Sequence, residues 1–481
     1  MRLAVAFLLA AGGCGAPGVP ARTPPAGSQS RAAVESADLS ADLSSDPSVP
    51  RSFPDDFAEH LVLWQLIERA ARKNPGVQAA WARSDAAGER RPQVTALPDP
   101  QLRLGWYAEP VHTAAGTQEF SVGIGQAIPG FGKRASAGRR ADLTSEMARL
   151  SAEIRVRDVT VEVVRVFHEL VYLRGALAVS VGVEEQALRL VQLAAGPAAG
   201  LRRTGLGEQV RAESFLAQLV YDRTALEELQ LVEEERLRAL LDLPAGTPLG
   251  PPRGLSLPAV DLGLAALRER ALSSNQELRL DQVAVERARE AIVGARLERR
   301  PDLYLGGRWI QTDGLSNSPL VENGEDAVFF ELGISLPVWE GANRARVREA
   351  EHGLRAAVLA REERASRVRA DLARQWWRAT NTARLAELYR ETLLPQAERA
   401  ARAAEGLFES GDSSFAGLLE TVVAWQHYRL ATLRADADYG QALAELERLL
   451  GHPLEWQPVS GTPVSGTQLS GTQLSGTEEQ R

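Results

Sequence analysis

The chain reads as mainly α with a membrane β-barrel portion, and three observations point there. Two very long stretches, Ala135–Ala195 and Arg344–Phe408, carry helical periodicity. Before each stands a pair of segments that alternate apolar with small or polar residues, the pattern of strands whose two faces meet different surroundings. The whole plan also occurs twice, so that each half runs helix, strand, strand, long helix, helix.

The amino terminus comes first in order. Met1–Cys14, MRLAVAFLLAAGGC, has one early Arg, an apolar core and small residues before a cysteine. It is too short to span a bilayer as a mature helix and reads as a signal peptide over residues 1–14. Cys14 is the only cysteine, so no disulfide forms within the chain. Ala11-Gly12-Gly13-Cys14 resembles a bacterial lipoprotein cleavage box, which makes Cys14 the candidate lipidated residue; ordinary cleavage nearby is the other reading. Residues 15–55 are rich in Pro, Ala, Ser and Asp without periodicity and read as a disordered tether.

The first repeat is assigned to residues 56–243. Leu63, Ile67, Ala70 and Ala71 predict a helix over Leu61–Thr95, stopped by Pro98 and Pro100. Strands follow at 101–108 and 118–128, separated by a loop over 108–118. Leu102, Leu104 and Trp106 share one face of the first strand. Phe120, Val122, Ile124 and Ile128 share one face of the second, opposite Ser121, Gly123 and Gly125. Pro129 ends that strand, and Pro129, Gly130 and Gly132 form a turn into the helix that Lys133-Arg134 enters. At about 1.5 Å per residue that helix spans roughly 90 Å, far beyond an ordinary globular helix. Gly196-Pro197 to Gly207 interrupts it, and a return helix runs over Glu208–Leu241.

Residues 244–260 form a Pro/Gly-rich linker. The second repeat, 261–455, then restates the first. Asn74 falls on Asn275 and Pro100 on Pro301, an offset of 201 (275 minus 74). Ile128-Pro129 lands on Leu336-Pro337. Strands are expected at 302–311 and 327–337, with a second strand-to-helix turn at Pro337 and Gly341. The second long helix breaks at Ser410-Gly411-Asp412 and returns over Ser414–Leu450. Residues 456–481 repeat SGT units and read as a low-complexity tail.

Four strands of about ten residues are too few to close a barrel alone, and open edges are not tolerated in lipid. Strands of this length fit an outer-membrane barrel closed by several chains, with Trp106, Trp309 and Trp339 near strand ends as an aromatic girdle.

On the duplicated plan, the copies LVLWQLIERAARKNPGVQAA and ALRERALSSNQELRLDQVA, and the turn QAIPGFGKR, the chain resembles the TolC family of outer-membrane efflux proteins over about residues 60–455. The turn QAIPGFGKR looks like the corresponding segment in the outer-membrane members of heavy-metal and multidrug tripartite pumps. The resemblance implies a homotrimer in which twelve strands form one barrel and twelve helices form a periplasmic tunnel. It implies a passive exit duct coupled through a periplasmic adaptor to an inner-membrane transporter, of the proton-driven type. It places the periplasmic tips, which meet the adaptor, at Gly205, Leu206 and Gly207 and at Gly411 and Asp412. The family's constricting aspartates fall here on Gly417 and Glu420, so Glu420 is the candidate gate ring.

Other functions find less support. With 55 Lys and Arg against 63 Asp and Glu the formal net charge is -8, which gives no electrostatic basis for nucleic-acid binding. A mean hydropathy of -0.20 and the lack of a long apolar run beyond the first residues argue against a helical membrane protein. The six histidines are scattered without ligand spacing, no GxxxxGK[ST] phosphate loop occurs, and no catalytic constellation is apparent. No cofactor and no enzymatic activity are expected. The alternatives are a periplasmic adaptor, which would need only one hairpin, and a soluble coiled-coil scaffold of the envelope.

Overall fold

The computed structural model describes residues 57–195, 206–253, 257, 263–316, 323–410 and 412–451. The expectations for the signal peptide, Cys14, the tether and the tail lie outside these residues.

The single helix expected over Leu61–Thr95 is three: α1 (Leu63–Lys73), α2 (Pro75–Gly88) and α3 (Arg90–Thr95). The break falls at Asn74-Pro75, where proline has no N–H to continue α1 and is well placed to start α2. Asn74 caps the new helix, its Oδ1 accepting from the backbone N–H of Gly76 at 2.9 Å and of Val77 at 3.3 Å. The second repeat makes the same break. α6 (Leu264–Ser274) ends at Asn275, whose Oδ1 accepts from Leu278 N–H at 3.0 Å as α7 (Gln276–Leu297) begins.

β1 (Gln101–Thr113) and β2 (Gly116–Ile128) form a hairpin longer than the sequence predicts. The segment expected as a loop over 108–118 is mostly strand. A ladder irregularity between Trp106 and Val111 absorbs the mismatch that broke the alternation there. Trp106 consequently sits within its strand and not at its end. β3 (Asp302–Asp313) and β4 (Ala327–Ser335) form the second hairpin, and all four strands make one antiparallel sheet in the order β1-β2-β3-β4.

α4 (Lys133–Ala195) and α5 (Leu206–Leu241) are the first long hairpin. α4 includes the one stretch among the described residues that is long and apolar enough to cross a bilayer as a helix, and half of that stretch is buried within the protein. It is a core helix. In the second repeat α8 (Glu340–Leu388) passes through a π-helical turn (Tyr389–Leu393) into α9 (Leu394–Ser410), and α10 (Phe415–Leu450) returns. The π turn sits just before Pro395. A proline ring clashes with the carbonyl four residues back, and widening the turn relieves that clash without ending the helix.

The linker is not free of the body. Leu61 N–H donates to Pro251 O and Arg253 N–H to Leu61 O, both at 2.9 Å, so residues 250–253 lie as a strap along 57–61.

Two hydrophobic cores hold the repeats, and they are copies. In the first, Leu66, Ala70 and Val77 pack with Val159, Val163, Leu170, Leu237 and Leu241. In the second, Leu267, Ala271 and Leu278 pack with Val368, Leu372, Ala379, Leu446 and Leu450. The short helices correspond at the offset of 201 and the long helices at 209 (450 minus 241), so each core residue named has its counterpart. A third cluster, with Val183, Ala187, Ala212, Phe408, Leu418 and Val422, joins the two hairpins toward their far ends.

Candidate functional site: the sheet, its joints and the helical ends

The sheet has one apolar face and one polar face. Across the strands Leu102 pairs with Ile124, Leu104 with Val122, Trp106 with Phe120, Val122 with Trp309, Leu305 with Leu332 and Leu303 with Ile334. The apolar side chains are largely uncovered: Trp106 is 76% and Phe330 88% exposed. Exposed apolar area of this extent in register over four strands marks a surface built to meet something other than water.

The opposite face is lined by glycine, serine and charged or aromatic residues. Tyr304 lies across Gly125, where a Cβ would overlap its ring, and the Arg103 guanidinium sits 5.1 Å from the Tyr304 ring centre. Arg308 similarly stacks on Phe329 at 5.4 Å. β1 and β4 are the sheet's outer strands, and each leaves one row of backbone groups without a strand partner.

The first strand-to-helix turn is anchored across the repeat boundary. Gly130 N–H and Lys133 Nζ both donate to Asp302 Oδ1, at 2.7 and 2.8 Å, and Arg300 donates to Phe131 O at 2.6 Å. Gly132 takes φ +90°, a left-handed conformation that a side chain would strain. At the second turn Pro337 O accepts from the buried Asn343 side chain at 3.1 Å, while Gly341 faces open space. The sequence places Pro129, Gly130, Gly132, Pro337 and Gly341 at the turns; it gave no sign of the roles of Asp302 and Asn343.

Of the tip residues, Gly205 and Gly411 lie outside the described residues. Leu206 and Gly207 open α5. Asp412 is exposed, its Oδ2 accepting from Ser410 Oγ at 2.9 Å, and the N–H groups of Asp412 and Ser413 both donate to Leu407 O. This closes the end of α9, and Ser414 Oγ then accepts from Gly417 N–H to start α10. Glu420 is exposed on α10, six residues beyond that cap. Nearby, a cavity of about 390 Å3 lies between α4, α9 and α10, with Phe408 and Trp425 among its apolar lining and Arg189 and Glu405 among its charged lining. Among the described residues no group of three or more His, Cys, Asp or Glu side chains is placed to hold a metal ion.

Higher in the helices, α4 and α10 meet along a seam of polar contacts. Arg434 donates to both oxygens of Glu169 at 2.8 and 2.9 Å, Gln441 donates to Glu169 at 2.9 Å, and Arg434 also pairs with Asp438. The His168 ring fills the place a side chain at Gly440 would occupy, and its burial lowers its pKa to about 4. Nearer the sheet along α4, Glu277, at the start of α7, accepts from Arg157 at 3.0 Å and Arg364 at 2.8 Å, with Arg448 at 3.8 Å. Burial opposes its ionisation, but those arginines outweigh burial and hold its pKa below the ordinary carboxylate value.

Residues 267–452 match the family model described as outer membrane efflux protein. No curated protein sequence matches the chain. Among solved structures, the fold is similar to the outer-membrane channel OprN, at 19% identity and a TM-score of 0.69 over 83% of this chain and 94% of that one. It is similar to the outer membrane protein VceC of Vibrio cholerae, at 17% identity and a TM-score of 0.66 over 81% and 96%. The CmeC outer membrane channel of Campylobacter jejuni gives 13% identity and a TM-score of 0.68 over 81% and 85%. The second half of the chain thus carries an outer membrane efflux protein domain, and the described body has the fold of solved outer-membrane channels.

Proposed function

We propose that the protein is the exit duct of a tripartite efflux or secretion system, conducting substrate passively across the outer membrane. The observation that carries this is the sheet: four strands with a continuous apolar outer face, a polar inner face and two unpaired edges. Such a sheet is stable in lipid only when its edges are closed. Pairing β4 of one copy with β1 of the next closes it, and the family resemblance supports three copies and twelve strands. The tryptophans Trp106, Trp309 and Trp339 then belong to the lipid-facing surface and its border.

In this reading α4, α5 and α8 to α10 continue the barrel as a tunnel in the periplasm. The turns at Pro129–Gly132 and Pro337–Gly341 are structural joints between the two parts. The helical ends around Gly205–Gly207 and Gly411-Asp412 meet a periplasmic adaptor, which joins the duct to an inner-membrane transporter of the proton-driven type. Glu420, repeated in three copies, is the candidate constriction. Cys14 is the candidate acyl anchor, since each buried methylene adds about 0.8 kcal/mol of membrane affinity.

Membrane fractionation with heat-modifiable gel migration tests the reading. Recovery in the outer-membrane fraction as a species that dissociates only on heating supports it; a soluble periplasmic monomer overturns it.

A further inference from the structure

The polar face of the sheet carries a pair of arginines that the sheet itself does not neutralise. Arg103 on β1, Gly123 on β2 and Arg308 on β3 are successive partners in register, with Phe329 next on β4. The two arginine α-carbons therefore lie about 10 Å apart, twice the spacing of neighbouring strands. No side chain stands between them, because the residue between is glycine. Arg103 donates to Gln101 Oε1, a neutral acceptor, at 3.1 Å. Among the described residues neither guanidinium pairs with a carboxylate, whereas Lys133 at the joint is neutralised by Asp302. Glu331 shares this face one row nearer the joints, across from Gly306, and pairs with neither arginine. These rows keep a net positive charge.

Both guanidiniums are held by aromatic rings. Arg103 lies 5.1 Å from the Tyr304 ring centre and Arg308 lies 5.4 Å from that of Phe329. Tyr304 reaches from β3 toward β1 because position 125 of β2 is glycine; a Cβ there would overlap the Tyr304 hydroxyl. Gly125, Tyr304 and Arg103 are thus one cradle. Each ring supports its guanidinium while the remaining N–H donors stay available. A side chain already ordered loses less freedom on binding, and its planar fork of donors suits carboxylate, sulfonate or phosphate oxygens.

We propose that Arg103 and Arg308 form an organic-anion site in the lumen of the duct, binding the acidic groups of passing cargo. This rests on the duct reading and adds the chemical class that the exit end favours. In three copies the pair repeats as two rings of three guanidiniums. A strand tilt of about 40° sets the rings roughly 6 Å apart along the axis, close enough to act as one belt. A belt whose charge is balanced mostly by mobile ions raises the local concentration of anions. Salt sets its reach, which is about 30 Å at 0.01 M and about 10 Å at 0.1 M.

Binding of pyranine, a trisulfonated pyrene, tests the proposal by fluorescence anisotropy in uncharged detergent at low salt. The parent protein is expected to bind the dye and to release it as salt is raised. Arg103→Gln combined with Arg308→Gln is expected to weaken binding by about tenfold or more. The double lysine variant, Arg103→Lys with Arg308→Lys, keeps the charge and should bind better than the glutamine variant. Glu331→Gln removes the opposing carboxylate and should bind more tightly than the parent. These last two variants carry the test where the glutamine variant fails to assemble. Dye binding by the glutamine variant equal to the parent's, or none by the parent, overturns the site. Native mass on the same samples separates the two claims. A trimer that does not bind pyranine overturns the site and leaves the duct reading standing; a soluble monomer overturns both.

Discussion

Asn74 and Asn275 make the same pair of connections in the two repeats. Each Oδ1 caps a helix, and each Nδ2 donates to a carbonyl near the end of that repeat's return helix: Leu240 O at 3.0 Å and Leu449 O at 2.8 Å. A single amide thus starts one helix and ties down the end of another. Both asparagines are buried, so neither bond is replaced by water without rearrangement.

Asn74→Ala and Asn275→Ala are each expected to destabilise the folded chain by about 2 kcal/mol, from a lost cap and an orphaned carbonyl. Asp at either position keeps the cap and loses only the donor, so it should be less harmful. Because the two sites lie in separate cores, the double variant should be additive. Denaturant unfolding of all variants checks this; a neutral Asn→Ala variant contradicts the assigned role.

His168 predicts an acid response. Its folded pKa of about 4 lies below the ordinary histidine value of 6.5, so the unfolded chain binds the proton first as pH falls. Stability from this group is complete above pH 6.5 and declines between pH 6.5 and 4, by about 3 kcal/mol in all. Much of that window precedes carboxylate titration. His168→Gln, which cannot titrate, should flatten the stability curve between pH 6.5 and 5; a curve unchanged from the parent contradicts the assignment.

Gly132 holds φ +90° at the joint between sheet and helix. Gly132→Ala is expected to destabilise the joint by about 1 kcal/mol or more, since a β-carbon disfavours that conformation. The temperature at which the heat-modifiable species dissociates should fall. Gly341, in open space at the other joint, should tolerate alanine. Equal responses at the two positions contradict this distinction.

If Glu420 lines the proposed constriction, Glu420→Ala is expected to weaken block of single-channel current by divalent cations, because removing one carboxylate from each copy removes its attraction for cations. Unaltered block in planar bilayers returns Glu420 to an ordinary exposed helix position.

The fold was legible where periodicity and punctuation are strong. The alternation in Phe120–Ile128 and Val328–Leu332 is clear, and β2 and β4 fall on it. The repeat was legible because Asn74 and Pro100 recur as Asn275 and Pro301. Three things were not legible. The strand through Glu109-Pro110 was hidden because a ladder irregularity interrupts its period. The helix break at Asn74-Pro75 is hidden by the apolar spacing that runs through it, though the Asn-Pro pair signals it. The anchoring of Pro129–Lys133 by Asp302 joins residues about 170 apart, and a local pattern carries no record of such a contact. The tips and the gate were named through family resemblance, because glycine near a helix break and one exposed glutamate have many ordinary explanations.

The central claim, that this sheet closes across copies into a barrel in lipid, is tested most directly by single spin labels placed along β4. Labels at Phe330, Leu332 and Ile334 should be accessible to oxygen dissolved in the bilayer, and labels at Glu331 and Gly333 to a water-soluble relaxant, alternating with period two. A uniform, water-exposed profile along β4 would contradict the account.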